Sequence, residues 1–312
     1  MKIAVTGALG HIGSQLIRSL KPGDYEEVLL LDSLATQRYC SLFDLPDGIP
    51  YRFLEEDVCT SRLEDYFKGK DAVIHLAAVT DAPSSFEKKD EVLRVNVEGT
   101  RRVAEACAAA GCRLVFLSTT SVYGLQEELV YENCPSDQLK PQSPYAESKL
   151  LSERELQKLG ETQGLRFVVC RFGTVFGTSP GMRFHTAVNK FVWQACAGQP
   201  LTVWRTALNQ SRPYLDLDDA TRAIAFILKN DVFDNDTYNV LTSNATVSQI
   251  VEAIRSVVPD VQVEYVESQI MNQLSYKVSN TKFESLGFRF QGSIDEGIAR
   301  TVRLIRNMRA LR

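Results

Sequence analysis

A tyrosine and a lysine stand four residues apart in "SPYAESKLLSERE", residues 143–155 of the chain. Residues at this spacing share one face of a helix, so we expect the Lys149 ammonium to lie near the Tyr145 phenol. An isolated tyrosine has a pKa of about 10, and a nearby cation lowers that pKa. The pair therefore predicts a general base, although the same spacing also arises by chance on a solvated helix face.

Three glycines in "VTGALGHIG" follow an apolar run and precede a helical pattern. Gly7 permits a tight turn, Gly10 allows the backbone to approach a pyrophosphate, and Gly13 allows the helix to pack close to a sheet. The free N–H groups at the start of the helix, at His11 and Ile12, favour phosphate. The segment predicts a dinucleotide site, and the alternative is a glycine-rich turn without a ligand.

An acid follows at the spacing that such a site requires. Asp32 ends the run "EVLLLD", where a carboxylate accepts the ribose hydroxyls of NAD and repels the 2′-phosphate of NADP. Arg38 offers a route to NADP, but an exposed arginine is the more ordinary interpretation. Asp57, in "EEDVCT", is placed either to face an adenine or as an ordinary polar strand end.

Apolar runs and helical patterns alternate through the first 175 residues. The runs "KIAVTG", "EVLLLD", "DAVIHLAA", "RLVFLST" and "LRFVVCRFGTVFG" lack strict alternation, which is typical of strands buried on both faces. Such an order predicts an α/β fold, a doubly wound parallel Rossmann sheet.

The pattern changes after Gly177, and no Pro-, Gly- or Ser-rich linker separates the two parts. We expect a smaller C-terminal α/β substrate-binding region that packs against the sheet. The predicted domains are a cofactor-binding domain, 1–177 with a return of 213–241, and a substrate-binding region, 178–212 with 242–312.

Composition narrows the function classes. The net charge is −4 without a long basic run, so a nucleic-acid surface has no support. Seven cysteines without a C-x-x-C pair indicate free thiols, and three scattered histidines predict no metal site. A secretory signal and an apolar stretch of about 20 residues are both lacking, so we expect a cytoplasmic protein without a membrane span.

Taken together, "TGALGHIG", "HLAA" (75–78), Asn96 in "VNVEGT", "STTSVYG" (118–124) and "YAESK" (145–149) resemble the extended short-chain dehydrogenase/reductases. The resemblance continues through "RFGTVFG" and "RPYLDLDDATRA" to "LGF". Within that superfamily the chain looks most like the NAD-dependent nucleotide-sugar epimerases and dehydratases, with UDP-glucose 4-epimerase as the nearest type. The family also implies a homodimer joined through its long helices.

The resemblance implies roles for individual residues. Tyr145 and Lys149 would be catalytic together with Thr119, which orients the reacting hydroxyl; Ser118 and Thr120 flank Thr119 and are open to misassignment. Lys149 would also bind the nicotinamide ribose, whereas Tyr123 is expected to pack. The implied cofactor-binding residues are Gly7, Gly10, His11, Ile12, Gly13, Asp32, Asp57, Val58, Leu76, Ala77, Ala78, Asn96, Tyr145 and Lys149.

The substrate would be a nucleotide-diphosphate sugar. Arg212 matches a family arginine that contacts the diphosphate, and Asp219 matches an acid that anchors the same segment. In "GMRFHTAVNK", Arg183, His185, Asn189 and Lys190 form a polar cluster for which either substrate contact or a solvated face is open. The implied substrate-binding residues are Thr119, Thr120, Thr174, Arg183, Asn189 and Arg212.

The segment "STTSVYG" bears on the reaction. The 4,6-dehydratases of the family carry an Asp–Glu pair where this chain has Thr120 and Ser121, and the decarboxylases carry a Glu at the second position. Epimerase/reductases that use NADPH carry a Cys in this segment, which is lacking here. Among these reactions of the family, the segment therefore favours epimerisation at C4 through a transient 4-keto sugar.

Two departures leave the nucleotide open: Thr174 replaces a common Asn, and "WRTALNQS" replaces a glycine-rich loop. Trp204 offers a stacking surface for a base, with core packing as the alternative.

Two rival functions also stay open. The first is a nucleotide-sugar dehydratase or ketoreductase, and the second is an NAD-binding regulatory protein without turnover.

Overall fold

The structure, a computed structural model, describes residues 1–126, 129–267 and 275–305. Its strands are β1 Lys2–Thr6, β2 Glu27–Asp32, β3 Tyr51–Glu55, β4 Ala72–His75, β5 Arg113–Thr119, β6 Leu129–Val130, β7 Phe167–Phe172, β8 Thr174–Phe176, β9 Leu201–Trp204, β10 Ser211–Asp216, β11 Thr237–Val240, β12 Ser243–Thr246, β13 Val263–Val266 and β14 Lys277–Val278. Its helices are α1 His11–Ser19, α2 Leu63–Phe67, α3 Lys89–Val92, α4 Gly99–Ala110, α5 Pro144–Gln163, α6 Ala187–Cys196, α7 Leu217–Lys229, α8 Val247–Val257, α9 Thr281–Ser285 and α10 Ile294–Ile305. A π-helical turn, Leu93–Glu98, joins α3 to α4.

Seven strands form the main sheet in the order β11-β7-β5-β4-β1-β2-β3, and all of their pairings are parallel. The chain reverses direction across the sheet between β1 and β4, which is where α/β folds bind their ligands. The predicted doubly wound Rossmann sheet is therefore confirmed. The bounds of β2 and β5 match the runs "EVLLLD" and "RLVFLST" residue for residue.

Both faces of the sheet are covered, which explains the unbroken apolar runs in the sequence. Ile3 and Val5 point into a core shared with α1 and α7, while Ala4 between them points into a second core shared with α4 and α5. The strands therefore have apolar residues at successive positions, because neither face is open to water.

Helix α5 begins where its sequence predicts. The Ser143 hydroxyl accepts a hydrogen bond of 3.2 Å from the Ala146 N–H, and Pro144 occupies the first turn. These are the usual N-terminal signals, and Gly164, with φ of 68°, ends the helix. Tyr145 is thereby fixed in the first turn, at the edge of the sheet where β5 ends.

One predicted element was wrong in part. The run "LRFVVCRFGTVFG" is two strands, β7 in the main sheet and β8 in a separate three-stranded sheet of order β12-β10-β8. The chain leaves the main sheet at Gly173, where an added Cβ would lie 3.0 Å from the Pro213 carbonyl oxygen. Two further pairs, β13 with β9 and β14 with β6, complete the sheets of the described ranges.

Within the described residues, the helices are all too short or too polar to cross a lipid bilayer.

Candidate active site

Thr119 and Tyr145 meet at the carboxyl end of β5. Thr119 is the last residue of the strand and is 7% exposed. Its hydroxyl donates to the Ser121 hydroxyl and accepts from the Ser121 N–H, both at 3.2 Å, and it lies close enough to the Tyr145 phenol to lower the pKa of Tyr145. The flanking Ser118 hydroxyl donates instead to the buried Glu153 carboxylate. Thr119, rather than Ser118, is therefore the hydroxyl that faces the tyrosine.

The acidity of Tyr145 differs from the sequence expectation. Burial raises the pKa of Tyr145 to about 12, while the Thr119 hydrogen bond and the Arg183 charge act in the opposite direction. The expected lowering of this pKa was wrong for the protein alone, because desolvation of the phenolate outweighs the nearby positive charge.

Lys149 is buried beneath the end of β5. Its Nζ donates a hydrogen bond of 2.8 Å to the Leu117 carbonyl oxygen and lies 4.8 Å from the centre of the Phe116 ring. Burial lowers the pKa of Lys149 to about 8, and the Glu153 charge opposes this shift. Helical spacing placed Lys149 on the correct face of α5, but its side chain is anchored to the strand.

The glycine loop has the shape predicted for a dinucleotide site. Gly7 has φ of 65°, and an added Cβ there would lie 2.5 Å from the Ala77 backbone nitrogen. At Gly13 an added Cβ would lie 2.6 Å from the Gly7 and Ala8 carbonyl oxygens. These two positions therefore require glycine, and the turn brings the backbone N–H groups of α1 to the edge of the sheet.

Asp32 holds the glycine loop from the neighbouring strand. Its carboxylate accepts hydrogen bonds of 3.0 Å from the Leu9 and Leu34 N–H groups. Each oxygen keeps a further lone pair, so these contacts are compatible with the predicted ribose contact. Asp57 lies two residues beyond β3, where it accepts from the Cys59 N–H at 2.9 Å and faces the Arg94 guanidinium at 3.4 Å.

Two buried nitrogen atoms at this site, His11 Nε2 and Arg38 Nη1, have no hydrogen-bond partner among the described residues. The Ser179 hydroxyl donates to the His11 carbonyl oxygen at 2.9 Å, so at 3.1 Å it accepts from Nδ1 and leaves Nε2 as an acceptor. Burial lowers the pKa of His11 to about 3, which keeps the ring neutral. An unpaired acceptor and an unpaired cationic donor together suit a ligand with hydroxyl and phosphate groups, which NAD has.

Arg38 therefore differs from the exposed residue that the sequence suggested. It is partly buried, burial lowers its pKa, and the Asp32 charge acts on it in the opposite direction. The two side chains are thus close enough to interact at the edge of the cofactor site.

The remaining predicted cofactor residues lie along the ends of β1, β3 and β4. The Leu76 N–H donates to the Thr6 carbonyl oxygen at 3.0 Å, and the Ala77 N–H to the Thr6 hydroxyl at 3.5 Å. Val58 is buried, whereas Ile12, Leu76, Ala77 and Ala78 are partly exposed. Direct contact with the cofactor stays a prediction for these residues.

Asn96 lies within a hydrogen-bond network of the protein. Its side chain is fully buried and pairs with both the N–H and the carbonyl of Val79, at 2.8 and 2.9 Å, and with the Ser148 hydroxyl at 2.9 Å. Both amide protons are used within the protein. Asn96 therefore joins the loop after β4 to α5, and its predicted contact with the cofactor stays a prediction that falls to the remaining lone pair of its amide oxygen.

Arg183 approaches Thr119 and Tyr145 from the loop before α6. It is partly exposed, it donates to the Thr80 hydroxyl, and its charge acts on Tyr145. Asn189, 1% exposed, instead accepts from the Gly177 N–H at 3.2 Å and donates to the Arg183 carbonyl at 3.0 Å. Asn189 therefore holds this loop, and its predicted substrate contact stays a prediction.

The other predicted substrate residues surround the same space. Thr120 is 2% exposed and lies 3.4 Å from the Tyr276 hydroxyl, and Thr174 and Arg212 are partly exposed on neighbouring strands. The Arg212 charge acts on Tyr276. Trp204 packs against the C-terminal core, which matches the packing alternative.

Four residues that shape the site carry no sequence signal of their own. Glu153 and Arg171 form a buried ion pair, 2.7 Å between Oε2 and Nη2, which ties α5 to β7. An added Cβ at Gly181 would lie 2.4 Å from the Gly10 carbonyl oxygen, so this loop packs directly on the glycine loop. Tyr276, in the C-terminal part of the chain, also lies at the site, and its segment contains no motif that predicts this position.

Comparison with known proteins identifies the family to which the chain belongs. Residues 3–240 match the model of the NAD dependent epimerase/dehydratase family, and the chain belongs to that family. It is 31% identical over 267 residues to an uncharacterized UDP-glucose epimerase of Bacillus subtilis, with 82% of each chain covered. It is also 29% identical over 319 residues to a trifunctional dehydratase/epimerase/reductase of Arabidopsis thaliana, covering 96% of this chain but 46% of that protein.

Solved structures give the same class. MoeE5 in complex with UDP-glucuronic acid and NAD superimposes with a TM-score of 0.85 at 28% identity, covering 98% of this chain and 99% of the other. The UDP-glucose 4-epimerase of Thermus thermophilus, in complex with NAD, gives 0.83 at 28% identity with the same coverage. The family and these neighbours are NAD-dependent enzymes of the extended short-chain dehydrogenase/reductase type, and the cofactor of this chain is NAD.

Proposed function

We propose that the protein is a nucleotide-sugar epimerase that inverts C4 through a transient 4-keto sugar. The observation that carries the proposal is the contact between Thr119 and Tyr145, set in a segment 118–124 that contains hydroxyls but no carboxylic acid. Such a site can remove and return a hydroxyl proton. Elimination of water needs a further acid/base pair, and the segment does not supply one.

The chain's own residues handle the proton. Tyr145 takes the proton of the C4 hydroxyl as the C4–H bond breaks, and Thr119 orients that hydroxyl. NAD, held by the glycine loop 7–13 and Asp32, would supply the hydride acceptor and donor on either side of a rotation of the 4-keto sugar, and its oxidised ring would add a positive charge that favours the Tyr145 phenolate. Tyr145 then returns the proton to the oxygen, so that atoms and electrons balance over the cycle. Lys149, anchored below by Leu117, is proposed to hold the nicotinamide ribose.

The proposed substrate is a UDP-sugar with a hexose or hexuronate ring. Relatives support this choice, since their names specify UDP-glucose and UDP-glucuronic acid. Arg183 and Arg212 are proposed to bind the diphosphate, because a guanidinium pairs with phosphate oxygens in two parallel hydrogen bonds.

The test follows C4 configuration by NMR in a panel of UDP-, GDP-, CDP- and dTDP-hexoses and hexuronates, with cofactor absorbance recorded in parallel. We expect one 4-epimer to convert to the other without net consumption of reduced cofactor. Accumulation of a keto-sugar would instead support a dehydratase, which several relatives are. Binding of NAD and UDP-sugar without any turnover would support a regulatory protein.

We also propose that the enzyme is a cytoplasmic homodimer joined through α4 and α5. The exposure of an apolar side chain, Leu151, on α5 supports this proposal. Light scattering after size exclusion should give a mass near twice 34.9 kDa. A Leu151→Glu substitution should lower that mass to one chain.

A further inference from the structure

Two side chains of α5 that lie one helical turn apart are bound to consecutive residues of β5. The Lys149 Nζ donates a hydrogen bond of 2.8 Å to the Leu117 carbonyl oxygen. The Glu153 carboxylate accepts a hydrogen bond from the Ser118 hydroxyl, one residue further along the strand. The next residue is Thr119, so the two contacts hold β5 directly before the hydroxyl that is proposed to orient the substrate.

A buried arginine of the adjacent strand holds Glu153 in turn. Arg171 lies opposite Ser118 in the pairing of β7 with β5, and it donates to both carboxylate oxygens of Glu153, at 3.1 and 2.7 Å. Both residues of this ion pair are 5% exposed. A buried ion pair is often no more stabilising than apolar side chains of the same volume. Stability alone therefore does not account for these two charges beside the site.

The ammonium of Lys149 is one that burial disfavours. Burial lowers the pKa of Lys149 to about 8, and the Glu153 charge opposes this shift. The other titratable groups around it are Tyr145 on α5, His75 on β4 and Arg171 on β7. Burial raises the pKa of Tyr145 to about 12 and lowers that of His75 to about 3, so both side chains are neutral. Of these groups Glu153 alone has a negative charge, and a negative charge favours the ammonium over the neutral amine.

We propose that Glu153 is a positioning residue of the active site: its carboxylate keeps the Lys149 ammonium charged and, through Ser118, holds the end of β5. The inference rests on the proposed function, in which Lys149 holds the nicotinamide ribose and Tyr145 exchanges a proton with the sugar. A neutral Lys149 would be a weaker donor to the ribose and would no longer favour the Tyr145 phenolate. Glu153 thereby sets the upper limit of the pH range in which the enzyme turns over.

The first test measures the charge of Lys149 directly, by NMR of the NAD-loaded protein labelled with carbon-13 in its lysines. The Cε resonance of Lys149 is identified by its absence from Lys149→Met, and its shift is followed between pH 6 and pH 10. In Glu153→Gln we expect the titration midpoint of Lys149 to fall by at least about one pH unit, because the compensating negative charge is removed. An unchanged midpoint would overturn the proposal.

A second variant covers the case in which Glu153→Gln does not fold, since that substitution leaves the buried Arg171 charge unpaired. Glu153→Gln combined with Arg171→Met removes both charges. We expect the Lys149 midpoint to fall here as well, but by less, because the Arg171 charge no longer adds to the effect. Thermal unfolding verifies that the double variant is folded. A midpoint equal to that of the unaltered protein would show that the ion pair is structural only.

Glu147→Gln is the matched control. It removes the same charge from an exposed position of α5, two residues before Lys149, and residues at this spacing do not face each other. We expect this variant to leave both the Lys149 midpoint and the pH dependence of kcat unchanged. In Glu153→Gln, by contrast, the alkaline limit of kcat should move to lower pH by the same interval as the midpoint.

The outcomes separate this inference from the proposed function. If no sugar is epimerised at C4 but the midpoint falls in Glu153→Gln, the role of Glu153 toward Lys149 stands and the epimerase proposal fails. If C4 is epimerised while the midpoint and the alkaline limit stay in place, the epimerase proposal stands and the role of Glu153 is overturned.

Discussion

The two sides of the cleft are built in different ways. We define the cofactor side as the glycine loop 7–13, Asp32 and the loop after β4. It consists largely of backbone, and each of its parts lies at the end of one strand. The substrate side, which we define as Arg183, Arg212 and Tyr276, consists of side chains from three distant segments. One side therefore depends on a backbone shape, and the other on how separate segments pack.

The difference bears on specificity. At Gly7 and Gly13 an added Cβ would lie within about 2.7 Å of backbone atoms, so the cofactor side does not tolerate side chains there. On the substrate side the residues contribute side chains, so we expect substitutions there to change binding rather than the backbone of the glycine loop. The relatives are named for UDP-glucose or solved with UDP-glucuronic acid.

The largest effect should come from Tyr145→Phe, which removes the proposed acid/base at the junction of the two sides. General acid–base groups contribute about 100-fold to 10,000-fold, so turnover should fall by that factor. Binding of NAD and of UDP-sugar should change by less than about threefold, because the proposed contacts of both sides remain. Calorimetry with a turnover assay checks this, and intact turnover would remove Tyr145 from the mechanism.

The next effect tests the cofactor side alone. In Gly7→Ala the new Cβ meets the Ala77 nitrogen at 2.5 Å, whereas in Gly111→Ala it meets nothing within 4 Å. Both positions have a similar positive φ, 65° and 69°, so both variants carry about 1 kcal/mol of backbone strain. We expect NAD affinity to fall at least about tenfold for Gly7→Ala and to remain unchanged for Gly111→Ala. Equal NAD affinities in the two variants would contradict a cofactor site set by backbone shape.

The third prediction concerns the substrate side alone, where we expect a moderate loss of UDP-sugar affinity. Arg183→Met removes a charged donor but keeps a flexible apolar side chain, and such hydrogen bonds are worth about 1.5–3 kcal/mol. We expect UDP-sugar binding to weaken about tenfold or somewhat more, with NAD binding unaffected. Arg205→Met, at an exposed arginine, is the control. A loss of NAD affinity in Arg183→Met would show that the two sides are coupled.

The smallest effect concerns stability beneath the cofactor side. His75 is 1% exposed between the Thr6 and Thr100 hydroxyls, at 2.7 and 3.0 Å, and burial lowers its pKa to about 3. Below pH 6.5, roughly the pKa of histidine in the unfolded chain, the unfolded chain binds a proton at this position that the folded chain does not. The free energy of unfolding therefore decreases as the pH is lowered. His75 contributes roughly 1.4 kcal/mol per pH unit to this decrease in the free energy of unfolding.

Urea unfolding between pH 6.5 and 5 measures this dependence. The slope should be shallower in His75→Gln than in the unaltered protein, even if the variant is less stable throughout. An unchanged slope would mean that His75 is protonated in the folded state.

Local patterns in the sequence were sufficient for much of the fold and for the cofactor side. The glycine loop, the bounds of β2 and β5, and the start of α5 each depend on a few consecutive residues. Side-chain partners were less predictable. Lys149 lies on the expected face of α5, yet its ammonium binds the Leu117 carbonyl. Asn96 and Asn189 hydrogen-bond to protein groups that their motifs do not reveal.

The sequence by itself determined the strands of the sheet, the dinucleotide loop and the shared helix face of Tyr145 and Lys149, because strand burial, glycine conformations and helical spacing act over short distances, whereas Thr119 was assigned by the family resemblance. The tertiary structure alone decided that the run 165–177 divides between two sheets, that burial raises the pKa of Tyr145, and that Tyr276 reaches the end of β5. Each of these depends on segments far apart in the chain, whose contacts are set by packing and desolvation rather than by any local pattern.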